Sequence, residues 1–209
     1  MAFPSVYEMM NPLTTVRKQH FWEYFTGNLL SPRRWSWKAG TGGSVISEGM
    51  ADVINGGYYL RMTNGHYGSY DFNNVRQYNA TGSVVIGRSQ RSHSDGQGFI
   101  GLRGDRSLGT GYADGEGANI TIRSTTSSIL GFSNDSSGSG TGIAVGTSDD
   151  NAHTLKIELS SDVKFYVDGV LGGTNNINKP SNKLQPMWGA TAAGSSQGSY
   201  TSYIEAYNT

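Results

Sequence analysis

Cleaving a glycosidic bond takes two carboxylates about 5 to 9 Å apart, and one strand can supply them when acids alternate, as in E-x-D or E-x-D-x-x-E. The six glutamates, Glu8, Glu23, Glu48, Glu116, Glu158 and Glu205, have no acid at that spacing on an expected strand. The nearest match is Asp114-Gly115-Glu116, inside the glycine-rich stretch YADGEGAN. It reads either as a catalytic pair or as a solvated turn.

Other chemistries leave fainter marks. A G-x-S-x-G nucleophile elbow is absent, and so is the strand-to-helix setting it needs. GSGTG at Gly138 to Gly142 looks like a phosphate cradle, but no Lys-Ser/Thr pair follows it. Asp95, Asp105, Asp114, Asp135, Asp149 and Asp150 could offer oxygens to calcium, yet no D-x-[DN]-x-[DN]-G loop is present, and turn chemistry accounts for aspartates equally well. With no cysteine, and with His20, His66, His93 and His153 outside ligand spacing, no metal site and no cofactor is expected. Arg103-Gly104-Asp105 is a short adhesion-like tripeptide, and Asn79, Asn119 and Asn134 head N-x-[ST] sequons. Trp35 and Trp37 lie two apart, so on a strand they share a side with Arg33, either stacking on sugar rings or forming a core seam.

Composition narrows the classes. The 209 residues carry 16 Lys plus Arg against 16 Asp plus Glu, so no general attraction to nucleic acid or to an anionic membrane is expected. Thirty glycines and twelve tyrosines argue against a helical bundle. No apolar run is long enough to span a bilayer, and MAFPSVYEMMNPL lacks the features of a signal peptide, so the expectation is a soluble chain not exported by that route.

The elements that must position any site are strands. Alternation predicts them over Gly57 to Thr63, Tyr67 to Phe72, Gly82 to Arg88, Gly98 to Leu102, Ala118 to Ser124, Ser128 to Phe132, Ile143 to Val145 and Gly198 to Tyr207. The clearest pair is HTLKIEL, His153 to Leu159, with VKFYV, Val163 to Val167. Leu155, Ile157 and Leu159 of the first, and Val163, Phe165 and Val167 of the second, are expected to point inward. Asp168-Gly169 then supplies the positive φ angles of a tight hairpin before Val170-Leu171. Short strands with no helical crossover predict an antiparallel sandwich. Residues 1–27 differ: they are apolar and aromatic and read as an N-terminal arm, with a poorly amphipathic helix over Pro12 to Phe25 or a strand closing a sheet.

The segment HTLKIELSSDVKFYVDGV resembles the penultimate hairpin of concanavalin A-like lectin/glucanase jelly rolls, including laminin-G-like modules. FWEYFTGNLLSPRRWSWK, ISEGMADVINGGYYLRM and LQPMWGATAAGSSQGSYTSYIEAYNT are similar to short virion-associated proteins of marine tailed bacteriophages. The resemblance implies an all-β jelly roll of two antiparallel sheets over residues 28–209, with the concave sheet as the usual ligand surface. Hydrolases of that superfamily carry the E-x-D-x-x-E strand, which this chain lacks. The His that opens the first hairpin strand, His153, reads as structural.

These readings converge on a non-enzymatic viral structural protein, a jelly roll displayed at a phage particle surface as head decoration, fibre or tail module. A free carbohydrate-binding lectin is the alternative, and a glycan-degrading enzyme a third reading. Phe3, Val6, Tyr7, Met9, Met10 and Leu13 of the arm expose apolar surface that calls for a cover. The expected partners are other virion proteins, further copies in a trimer or pentamer, and host glycans.

Overall fold

The computed structural model describes residues 20–24, 35–39, 51–54, 57–63, 68–72, 78–91, 96–104, 115–123, 127–192 and 198–209. These residues form fifteen strands: β1 (His20–Tyr24), β2 (Trp35–Ala39), β3 (Ala51–Ile54), β4 (Gly57–Thr63), β5 (Gly68–Phe72), β6 (Ser83–Arg91), β7 (Gly96–Arg103), β8 (Gly117–Ile122), β9 (Ser128–Asn134), β10 (Gly140–Thr147), β11 (His153–Leu159), β12 (Val163–Val167), β13 (Val170–Asn175), β14 (Gln185–Ala192) and β15 (Gly198–Asn208). All pairings are antiparallel. One sheet of eight strands runs β13-β12-β11-β6-β15-β4-β3, with β1 also on β15, and one of seven runs β10-β9-β8-β7-β14-β5-β2. The fold is the two-sheet jelly-roll sandwich expected from the sequence.

The alternation that marked β11 and β12 sets their faces. Leu155, Ile157 and Leu159 are buried while Thr154, Lys156 and Glu158 are not, and on β12 Val163 and Phe165 are buried with Val167 packed partly against the core. Asp168 (φ 50°) and Gly169 (φ 81°) make the two-residue hairpin into β13, both in the left-handed region that such a turn requires. From the other sheet, Ile100, Leu102, Ile120, Ile122, Ile129 and Trp188 complete the core. The Phe165 ring lies directly over Gly131, where an added Cβ would sit 2.5 Å from Cγ. That contact locks the two sheets together. At one side of the sandwich the sheets also meet backbone to backbone, because a Cβ on Gly172 of β13 would fall 2.0 Å from the carbonyl oxygen of Val145 on β10.

The candidate helix over Pro12 to Phe25 is corrected where the structure describes it: His20–Tyr24 is strand β1, paired with Tyr203 to Tyr207 of β15. Its apolar stripe was too poor to bury a helical face, whereas an extended segment satisfies its backbone along the open edge of β15. Phe3, Val6, Tyr7, Met9, Met10 and Leu13 lie outside the described residues.

Candidate functional site

The seven-stranded sheet has one face in the core and one turned away from it, and strand register assigns residues to each. Trp188 pairs with Ile100, and Ile100 with Ile120, all core residues. Their neighbours along the strands therefore occupy the other face. One cross-strand row there reads Ser36, Asp71, Met187, Gly101, Asn119, Phe132 and Gly142. The next contains Phe99, Thr121 and Leu130, and the one on the opposite side contains Gln185, Arg103, Gly117 and Asn134.

The centre of this face is polar and closely built. A Cβ on Gly101 would meet that of Asn119 at 2.7 Å, so the glycine lets β7 and β8 hold Asn119 in place. The Thr121 hydroxyl donates to Asn119 Oδ1 at 3.1 Å, and both side chains are buried. Asn134 Nδ2 donates to the Gly115 carbonyl at 2.9 Å. Arg103 and Gln185, opposite each other on β7 and β14, are also buried, and neither amide atom of Gln185 has a partner among the described residues. An orphaned buried amide costs about 1–3 kcal/mol unless something pairs with it.

On the central strand β8, the positions facing away from the core hold Gly117, Asn119 and Thr121, with no carboxylate. Among the described residues, Asp71 on β5 is the one acid that register places in these rows. The sequence-level search missed it by requiring both acids on one strand, whereas a sheet can bring acids together across strands.

Glu116, half of the pair read from the sequence, is engaged elsewhere. Its Oε1 accepts from the backbone N–H groups of Ser181 (2.5 Å) and Asn182 (2.9 Å) and from the Ser181 hydroxyl (3.1 Å), and its Oε2 accepts from Asn182 Nδ2 (2.8 Å). Burial pushes its carboxyl upward, but these four donors outweigh it and hold Glu116 below the usual glutamate range. It is a loop anchor and a poor proton donor. Asp114 lies outside the described residues.

The remaining sequence candidates take structural places. Of the Arg-Gly-Asp tripeptide, Arg103 is buried and Gly104 N–H donates to the Glu116 carbonyl, while Asp105 lies outside the described residues. The GSGTG stretch is the turn after β9 and the start of β10. Asp135 there accepts from Ser137 and Ser139, and the Ser137 hydroxyl first among these donors lowers its carboxyl. Asp150 pairs with Arg91 at 2.9 Å. Register sets Trp37 opposite Tyr70 and Trp35 opposite Phe72 in the β2–β5 pair.

His153 gains partners that its sequence neighbourhood did not show. Nδ1 sits 2.7 Å from Asp168 Oδ2 and Nε2 sits 2.9 Å from Asp149 Oδ1, while Thr154 N–H donates to the other oxygen of Asp168 at 2.8 Å. The hairpin register, with Leu155 opposite Val167, is the signal that could have found Asp168. The arrangement ties the β12–β13 turn to β11, as the structural reading of His153 expects.

No protein-family model and no curated protein sequence matches the chain. Solved structures do, over nearly its whole length. A native glycosidic hydrolase superposes with a TM-score of 0.64 at 16% identity, covering 93% of this chain and 98% of that one. The Bacillus licheniformis β-glucanase gives 0.61 at 17%, covering 91% and 98%. The laminarinase catalytic domain of Thermotoga maritima gives 0.63 at 14%, covering 92% and 98%. At these identities the likeness is one of fold: the chain shares the two-sheet antiparallel sandwich of these structures.

The expectation of a non-enzymatic phage structural module is corrected by this finding. The domain matched from end to end is one on which glycoside hydrolases are built. The absence of an E-x-D-x-x-E strand does not by itself exclude catalysis, because a sheet also brings acids together across strands.

Proposed function

We propose that the chain is a polysaccharide-acting enzyme that cleaves or transfers glycosidic bonds of a glucan-like chain laid across the non-core face of the seven-stranded sheet. The observation that carries this reading is the end-to-end match to solved structures described as a β-glucanase, a lichenase and a laminarinase. The face itself supports it: polar side chains on a rigid sheet, with Asn119 fixed by Thr121 and with Gln185 unpaired. Glycoside chemistry calls for one carboxylic acid to protonate the leaving oxygen and one carboxylate to attack the sugar or to activate water. Asp71 is assigned as one of the two. The other comes from Asp105 or Asp114, in the segment joining β7 to β8.

The test is release of new reducing ends from lichenan and laminarin by the full chain, compared with D71N, D105N and D114N. Parent activity with a loss of about 10²-fold or more in D71N and in one of the other two is the expected result. No release by the parent, or three variants as active as the parent, overturns the reading.

The similarity of the entry and ending segments to virion-associated proteins supports a location at a particle surface, where host polysaccharide is the substrate. Residues 1–19 would then serve as anchor and oligomer contact through Phe3, Val6, Tyr7, Met9, Met10 and Leu13. Light scattering of a chain lacking residues 1–19, which keeps β1, tests this: an unchanged mass rules the arm out as the oligomer contact.

A further inference from the structure

The outward face of the eight-stranded sheet carries a second constellation. On β15, Ile204 and Ala206 are core residues, so Glu205 and Tyr207 between and beyond them face outward, as does Ile86 beside the core residue Val85 on β6. Strand β1 lies along the same stretch of β15, with Trp22 opposite Glu205 and His20 opposite Tyr207. A cleft of about 440 Å³ opens here, lined by His20, Ile86, Glu205, Tyr207, Asn208 and Thr209. That volume lies within the range of ordinary small-ligand sites.

Aromatic edges and planes organise the cleft. The His20 ring stands edge-on to Trp22 at 5.2 Å and to Tyr207 at 5.8 Å, and its Nε2 lies 2.7 Å from Glu205 Oε1. Trp22 is 48% exposed, an uncommon position for the largest apolar side chain. The polar groups around it are only half used. Among the described residues, Glu205 engages one oxygen and leaves the other as an acceptor. Asn208 accepts the Asn79 N–H at Oδ1 (3.2 Å), which fixes its amide and leaves Nδ2 as a donor. The Tyr207 hydroxyl has no partner among the described residues.

The geometry points to a carbohydrate-binding site here, on the opposite side of the sandwich from the proposed reaction face, that takes one or two neutral pyranose rings of the same polysaccharide. A pyranose offers an apolar face of C–H groups to an exposed indole and a rim of hydroxyls that both donate and accept. Trp22 supplies the plane, Glu205 the acceptor, and Asn208 with Tyr207 the donors. The cleft offers a mixed set of hydrogen-bond donors and acceptors rather than a cluster of like charges, which suits a neutral polyol better than an ionic ligand. Such a site would hold the enzyme on its polymer between turnovers. The substrate class rests on the function proposed above, but the site does not require that the other face be catalytic.

Affinity electrophoresis of the full chain through gels containing lichenan or laminarin is the test, with W22A and E205Q against V170A, an exposed edge substitution on the same sheet. The parent and V170A are expected to be retarded, and W22A to bind about tenfold more weakly or worse, with W22F restoring part of the loss. Circular dichroism confirms that the variants are folded. No retardation of the parent, or equal retardation of the parent, W22A and E205Q, overturns the site. A parent that binds glycan without releasing reducing ends would sink the catalytic reading and leave this one standing.

Discussion

Glu116 fastens the start of β8 to Asn182, taking the Asn182 backbone N–H on one carboxylate oxygen and its Nδ2 on the other. Replacing Glu116 with Gln keeps an acceptor for the backbone donors but sets an NH₂ group against Asn182 Nδ2. The expected cost is about 1–3 kcal/mol. Because the folded carboxyl is held below its ordinary value of 4.5, its contribution is complete above that value and fades as pH falls through the depressed one. Urea titration of parent and E116Q at pH 7 and pH 3.5 should therefore show a gap that narrows in acid. If E116Q instead abolished glycan cleavage at unchanged stability, the anchoring role would be refuted.

A second prediction concerns the turn that His153 ties down. Asp168 holds the left-handed φ of 50° that Asn also tolerates, so D168N preserves the turn while removing the charge facing His153. Burial raises the Asp168 carboxyl, but the His153 and Thr154 donors and the nearby charges of His153 and Arg88 bring it below the usual range. Its stabilising effect is thus present at neutral pH and lost in acid. The side chain is half exposed, so D168N should cost only about 0.5–1.5 kcal/mol. H153A, which removes one partner from each of Asp149 and Asp168 together with the packing of the buried ring, should cost more in the same denaturation series.

The sheet-to-sheet contact yields a third. G131A drives a methyl into the Phe165 ring and should destabilise by about 1–3 kcal/mol, whereas the double variant G131A/F165L should recover part of that loss despite its smaller core side chain. Additive losses in the double-variant cycle would show that the two residues do not share the site.

A fourth follows from the orphaned amide. Changing Gln185 to Leu removes an unpaired buried polar group of nearly the same size, so the free protein should be as stable as the parent or more so. If Gln185 is kept for glycan, Q185L should raise KM for lichenan several-fold. Lower stability together with unchanged KM would contradict both halves of this expectation.

How far the sequence disclosed this molecule depended on which strands advertise themselves. The β11–β12 hairpin was readable because one face is aliphatic, the other polar, and Asp168-Gly169 dictates the turn. Strand β10 was foreseen over three residues and spans Gly140–Thr147, because glycine and alanine carry no alternation. Strand β14, central in its sheet, escaped notice behind Pro186. That proline is tolerated because β14 pairs there with Leu102 of β7, while its ladder with β5 begins only at Met187. The candidate site was the least legible part. Asp71, Asn119 and Gln185 are separated by dozens of residues and become neighbours in one face only through strand order, which no local spacing encodes.

Strand β15 lies between β6 on one side and β4 with β1 on the other. Without residues 198–208 the eight-stranded sheet is left as three unjoined parts, β13-β12-β11-β6, β4-β3 and β1. One strand therefore draws together segments far apart in sequence, a non-local closure that makes folding slow. Removing residues 198–208 would expose the facing edges of β6 and β4, an open template for aggregation rather than a smaller sandwich.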